Sequence, residues 1–201
     1  MKEYTIKDLE SLTSADIINK TILYPTETIY GLGCSLFDPK STYGISIAKK
    51  RPGQKQYIKL IDSIGRIINF VEPLSKEEIA LLESNLSVTV LLKPLEICPR
   101  EYLHPVDGLF SVRKTTHPIC LRLIELLNAP LLSTSANISG EEPTTDFANL
   151  PDELIQSVDI VIDAGKIPDA IPSTIVQFKE GTFEIVRQGQ VTLEDINTVL
   201  K

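Results

Sequence analysis

The sequence predicts an α/β (α+β) fold: a mixed β-sheet with helices on its faces. Three features predict it. Apolar runs of strand length alternate with segments of helical period along most of the chain. Helix-start signals, the Ser75/Glu78 capping box and Pro118, stand between those runs. Lys179-Glu180-Gly181-Thr182 joins two β-rich runs as a hairpin turn, so the sheet carries an antiparallel pair and is not purely parallel and doubly wound. At 201 residues and 42% hydrophobic content, the chain can bury roughly 70% of its unfolded surface. One domain over residues 1–201 is therefore expected, with no disulfide or metal staple.

The elements follow in order. Leu9, Leu12, Ile17 and Ile18 predict a helix over 6–20, and the apolar run 21–24 a short buried strand stopped by Pro25. A second helix is expected over 39–50, a strand over 56–61, and a third helix over 75–85. Strands at 88–92 and 109–113 precede a helix at 117–128, and the strand 130–133 runs into a polar loop. Strands at 160–162, 174–178 and 183–187 lead to a closing helix at 193–200. Residues 94–108 hold three prolines and little periodicity, and a loop of that length reads as a binding loop or lid.

Composition narrows the function. A net charge of −7 disfavours a protein that coats nucleic acid, because such binding rests on Lys and Arg neutralising phosphates. Any anion site must be local. Cys34, Cys98 and Cys120 are odd in number and widely spaced, with no C-x-x-C pair, which fits a reducing, cytoplasmic setting. No run approaches the ~18 apolar residues of a membrane helix. The phosphate-loop motif is missing, Gly31-Leu32-Gly33 lacks the third glycine of a dinucleotide fingerprint, and neither His104 nor His117 sits in a metalloprotease or hydrolase motif.

Three loops carry candidate chemistry. Residues 25–33, PTETIYGLG, place three hydroxyls and a carboxylate after a buried strand, where α/β sheets put ligands; an ordinary threonine-rich turn has the same composition. Residues 49–55 gather Lys49, Lys50, Arg51 and Lys55 at a helix end, suited either to polyphosphate or to the helix dipole alone. Residues 133–140, STSANISG, offer hydroxyls and backbone N–H groups for an anion-binding nest, or a plain polar loop. Arg113, at a strand end, is suited to clamp a carboxylate, and segments 172–174 and 187–189 flank the hairpin.

Taken in order, YPTETIYGLG, AKKRPGQK, SVRKTTHP, STSANISG, IPSTIV and VRQG resemble the YrdC-like threonylcarbamoyl-AMP synthase family from about Tyr24 to Gly189. The resemblance implies a twisted sheet with a concave central ligand cleft. It implies an enzyme that condenses L-threonine, bicarbonate and ATP to threonylcarbamoyl-AMP and pyrophosphate. Carried over residue by residue, it puts Thr28, Arg113, Ser133 and Ser173 around L-threonine, and Arg51, Lys55, Ser135, Asn137, Thr144 and Arg187 on ATP. Pro143 is the alternative to Thr144. Lys49 and Arg51 fall at the catalytic positions, with Lys49 and Asn137 supporting the phosphates and their loop. It also implies Mg2+ carried on the ATP phosphates and hand-over of the product to a tRNA threonylcarbamoyl transferase complex, with weak tRNA contact. An RNA-binding or ribosome-assembly module of the same fold is the alternative. Leu60 stands where some relatives place a histidine, and neither Lys55-Gln56-Tyr57 nor residues 84–89 follow the usual family pattern.

Overall fold

A computed structural model describes residues 2–50, 57–102, 108–168 and 171–201, apart from the side chains of residues 6 and 7. Among the described residues the strands are β1 (Lys2–Thr5), β2 (Ile22–Tyr24), β3 (Gly31–Ser35), β4 (Ile58–Ile61), β5 (Val88–Leu92), β6 (Phe110–Lys114), β7 (Leu131–Ser135), β8 (Ile160–Asp163), β9 (Thr174–Lys179) and β10 (Thr182–Arg187). They form one sheet in the order β1-β8-β2-β3-β7-β4-β6-β5-β9-β10. The helices are α1 (Ser14–Ile17), α2 (Pro39–Ala48), α3 (Lys76–Glu83), α4 (Pro118–Leu127), α5 (Asp152–Gln156) and α6 (Leu193–Val199). The sheet is mixed: β4 runs parallel to β6 and antiparallel to β7, and β9 and β10 form the expected hairpin. Glu180 and Gly181 both take positive φ, 50° and 85°, as a tight turn matched to strand twist requires.

Successive side chains on a strand face opposite sides, and two cores form accordingly. Leu32 and Cys34 of β3, Val88, Val90 and Leu92 of β5, and Phe110 and Val112 of β6 enter the larger core, which also takes in Ile45 of α2, Leu81 of α3 and Ile196 of α6. The opposite face carries Ile22 and Tyr24 of β2, Leu60 of β4 and Leu131 of β7 against Ile119, Leu123 and Ile124 of α4. That second core covers part of the face, and the cleft described below occupies another part.

Three expectations change. The helix over 6–20 is instead a 3-10 turn (Ile6–Ser11) and the single turn α1, with Leu12 and Thr13 extended between them. Two capping devices eight residues apart cause the break. The carboxylates of Asp8 and Asp16 accept the backbone N–H groups of Thr5 and Thr13 at 2.8 and 3.1 Å, so each threonine restarts the chain. The chain also opens on a strand, β1, not a helix; its exposed, charged KEYT carries little strand signal. The third change is β3. The Gly31-Leu32-Gly33 segment was expected in a loop, since glycine is depleted from strands, but it lies within the sheet, between β2 and β7.

Gly33 explains that placement. A Cβ there would strike the Leu132 carbonyl and come within 2.7 Å of Tyr24 Oη. The strand needs the missing side chain more than it loses from glycine's freedom. Gly33→Ala is expected to destabilise the fold by about 1–3 kcal/mol through forced strand separation. Chemical denaturation followed by circular dichroism checks this, and an unchanged midpoint would contradict the close approach.

Candidate active site

A cleft of about 380 Å³ opens on the sheet face away from the larger core. Its walls come from segments far apart in sequence: Thr28 from the β2–β3 loop, Arg113 from β6, Ser133 and Ser135 from β7, Ser173 just before β9, and Arg187 from β10. Each is aimed by local structure. Ser133 Oγ accepts a hydrogen bond from the buried Tyr24 hydroxyl at 2.7 Å, and that burial pushes the Tyr24 phenol well above its ordinary pKa. Ser173 Oγ and Thr89 Oγ1 lie 2.9 Å apart, both buried. The Thr26 hydroxyl accepts the Thr28 and Ile29 N–H groups and lies 3.0 Å from Thr28 Oγ1, so the loop is tied to itself.

Arg187 faces the cleft because β10 bulges. Ile185 pairs with Val176 and Arg187 with Ile175, so one extra residue switches the face on which Arg187 lies. Its Nη2 donates to the Ser173 carbonyl at 2.7 Å. Burial, and then the positive charge of Arg113, lower its pKa from the ordinary guanidinium value. Arg113 is itself buried at 4% exposure; its Nη1 donates to Thr28 Oγ1 at 3.3 Å and its Nε lies 3.3 Å from Glu27 Oε1. Two guanidinium groups that repel each other thus share one cleft, an arrangement that an anion between them relieves.

Most residues named from the sequence meet here. Thr28, Arg113, Ser133, Ser135, Ser173 and Arg187 all line the cleft. Asn137 lies beneath it and organises the loop after β7: its amide donates to the Ile138 and Glu141 carbonyls, and its Oδ1 accepts from Ser135 Oγ. Lys49, expected at the chemistry, is 2% exposed and donates to the carbonyls of Ser135 and Asn137 and to Asn137 Oδ1, so these bonds hold the loop. Helix α2 ends at Ala48, and Lys50 takes φ 50°, which turns Lys50 outward to Glu153 while Lys49 runs inward. Thr144 bonds Asp146, whereas Glu142 and Pro143 line the cleft. Arg51 and Lys55 lie outside the described residues, as does part of the expected lid over 94–108.

Some supporting roles were not legible in the sequence. Thr174 donates to the Val191 carbonyl and accepts the Gly189 and Val191 N–H groups, pinning the segment after β10 onto β9. Ile58 and Ile175 supply apolar wall. Only strand neighbours reveal these roles.

The sequence model of the Sua5/YciO/YrdC family, described as telomere recombination, matches residues 18–189. A threonylcarbamoyl-AMP synthase of Pyrococcus abyssi is 32% identical over 187 residues, 90% of this chain and 54% of that protein, so the chain spans about half the length of that relative. One from Pseudoalteromonas translucida is 28% identical over 166 residues, 81% of this chain and 88% of that protein. The crystal structure of P. abyssi Sua5 complexed with L-threonine matches with a TM-score of 0.87 at 27% identity, over 100% of this chain and 61% of that one.

His117 generates a pH prediction. Burial lowers its pKa below the ordinary 6.5, opposed by Glu27, and its Nδ1 has no hydrogen-bond partner among the described residues. The folded state therefore binds fewer protons than the unfolded chain. Stability from this group is fully present above pH 6.5 and is lost as pH falls through the lowered folded value. Urea midpoints measured from pH 7.5 downward are expected to fall below pH 6.5, and His117→Gln should flatten that part of the curve.

Proposed function

The chain belongs to the Sua5/YciO/YrdC family, and from that premise we propose that it is an L-threonylcarbamoyladenylate synthase. The reaction is condensation of L-threonine, bicarbonate and ATP to threonylcarbamoyl-AMP and pyrophosphate. The observation that carries the reading is the pair Arg113 and Arg187 in one hydroxyl-lined cleft. The similarity to the P. abyssi and P. translucida synthases, and the L-threonine bound by P. abyssi Sua5, support it.

The chemistry suits such a cleft. The threonine amine and bicarbonate combine to a carbamate with loss of water. A carbamate oxygen then attacks the α-phosphorus in line, and the bond to the β-phosphate oxygen breaks to release pyrophosphate. The nucleophile is made from substrates, so the protein's task is positioning and charge neutralisation. Arg113 takes the threonine carboxylate, with Thr28, Ser133 and Ser173 around the amine and hydroxyl. Arg187 and Ser135 face the nucleotide, joined by Arg51 and Lys55, and Lys49 and Asn137 keep the Ser135 loop in shape. Pro143, rather than Thr144, takes the adjoining ATP contact, because Pro143 lines the cleft. Among the described residues no three His, Cys, Asp or Glu side chains gather as a metal site. Magnesium is accordingly proposed to enter on ATP, held by phosphates and water, and no step is assigned to it. The product serves N6-threonylcarbamoyladenosine formation at position 37 of tRNA, passing to a tRNA threonylcarbamoyl transferase complex in the cytoplasm.

Pyrophosphate release from labelled ATP is expected only with threonine and bicarbonate both present; release indifferent to threonine would refute the assignment. Ser173→Ala should weaken threonine binding by about 1–2 kcal/mol, the worth of a buried hydrogen bond, and leave ATP binding nearly unchanged. Calorimetric titration of each ligand decides, and the opposite pattern would mean that the subsites are exchanged.

A further inference from the structure

We propose that Glu27 is a positioning residue for the reaction: its carboxylate holds the Arg113 guanidinium in the cleft wall by charge while leaving that group free to bind a substrate anion. The inference rests on the synthase reading and deepens its amino-acid subsite. Arg113 sits on β6 with its side chain 5% exposed, and Glu27 Oε1, at 3.3 Å from Nε, is its one carboxylate partner among the described ion pairs. A cation buried to that degree without a counter-charge would be expelled or disordered. The second cation, Arg187, adds repulsion from across the cleft.

The geometry of the pair matters as much as its charge. A bidentate Arg–carboxylate fork uses two N–H groups of the guanidinium. Here the Nε–H is not directed at Glu27, although the distance is that of an ion pair; Nε has no hydrogen-bond partner among the described residues. Nη1 is engaged by Thr28, and Nη2 bonds no described residue. Glu27 thus neutralises Arg113 without capturing the edge that faces the cleft.

The carboxylate is itself held. Glu27 Oε2 accepts the Thr115 hydroxyl at 3.0 Å, and Thr115 Oγ1 accepts the His117 N–H at 3.2 Å, which fixes the Thr115 hydrogen toward Glu27. Thr115 lies one residue beyond β6 and is buried. Glu27 and Arg113 are therefore locked to the same strand end. Glu27 does not line the cleft, so it acts through Arg113.

Three variants test the proposal by calorimetric titration with L-threonine and ATP, alongside thermal unfolding. Glu27→Gln keeps the shape and the bond to Thr115 but removes the charge; it is expected to weaken L-threonine binding about tenfold or more and leave ATP binding within about twofold. Glu27→Asp keeps the charge and should retain more threonine affinity than Glu27→Gln. Thr115→Val, which touches no substrate, should shift threonine affinity the same way by a smaller factor. In turnover, Glu27→Gln should raise KM for threonine with KM for ATP unchanged, a split that general loosening of the fold does not produce. Threonine affinity in Glu27→Gln equal to or tighter than wild type overturns the inference, as does equal loss of both ligands. If Glu27→Gln does not fold, the Thr115→Val titration decides alone. Wild-type protein that binds no threonine refutes the synthase reading instead, which separates the two failures.

Discussion

Side-chain alternation on one sheet, with one face fully packed and the other covered only in part, is the constraint from which the site follows. The larger core seals one face across β3, β5 and β6. On the other, α4 packs over the β2, β4 and β7 residues Tyr24, Leu60 and Leu131. Residues of the same parity beyond that cover meet no described helix, and there small or hydrogen-bonding side chains, Gly31, Ser133, Arg113 and Thr89, stand beside the apolar Ile175. A buried apolar residue at those positions would face a cavity, whereas hydroxyls and a guanidinium can meet a polar ligand. Glycine in β3 then has two uses: Gly33 admits the Leu132 carbonyl and Tyr24, and Gly31 leaves room beside Ser133.

Electrostatics divides labour among the cations. Lys49 is spent within the protein, donating to two carbonyls and one amide oxygen, so that the loop from Ser135 to Glu141 is tied down by the protein's own hydrogen bonds. Ser139 adds to this by donating its N–H to the Lys49 carbonyl at 3.0 Å. Arg113 and Arg187 are the opposite case. They are held near each other at a cost in repulsion and desolvation, the arrangement that makes anion binding favourable in an otherwise acidic protein. Preorganisation of this kind lowers the ordering cost that a substrate must otherwise meet.

Much of the fold was legible, and the failures have local causes. The strand at 88–92 and the helix starts at Ser75 and Pro118 were read correctly, because β-branched runs and caps act within a few residues. The first helix failed because two Thr/Asp devices overrode a helical spacing of leucines and isoleucines. β3 and β1 failed because glycine and exposed charge are poor strand formers until neighbours supply the pairing. For the site, composition left the 25–33 and 49–55 loops between function and plain structure, and only their order alongside Arg113, Ser173 and Arg187 carried the family resemblance. Lys49 and Lys50 were indistinguishable as letters; the backbone turn at Lys50 separates them. The part played by Glu27 was hidden for a related reason, since its partners, Arg113 and Thr115, stand at the end of a strand 86 to 88 residues away.

That separation bears on when the site exists. Its walls come from the β2–β3 loop, β6, β7 and the β9–β10 hairpin, which are scattered in sequence but lie within one stretch of the strand order, β3-β7-β4-β6-β5-β9-β10. No local segment contains both guanidiniums, and Arg187 reaches the cleft only through a bulge defined against β9. The charge repulsion between Arg113 and Arg187 is therefore met only when the long-range pairing is complete, and the hydrophobic burial of the larger core must already exceed it. A ligand anion binds the folded chain alone, because the unfolded chain never brings the two cations together, so its binding raises fold stability, by more the further its concentration exceeds Kd. The same repelling pair that prepares the cleft for an anion thus makes the empty protein less stable than the occupied one.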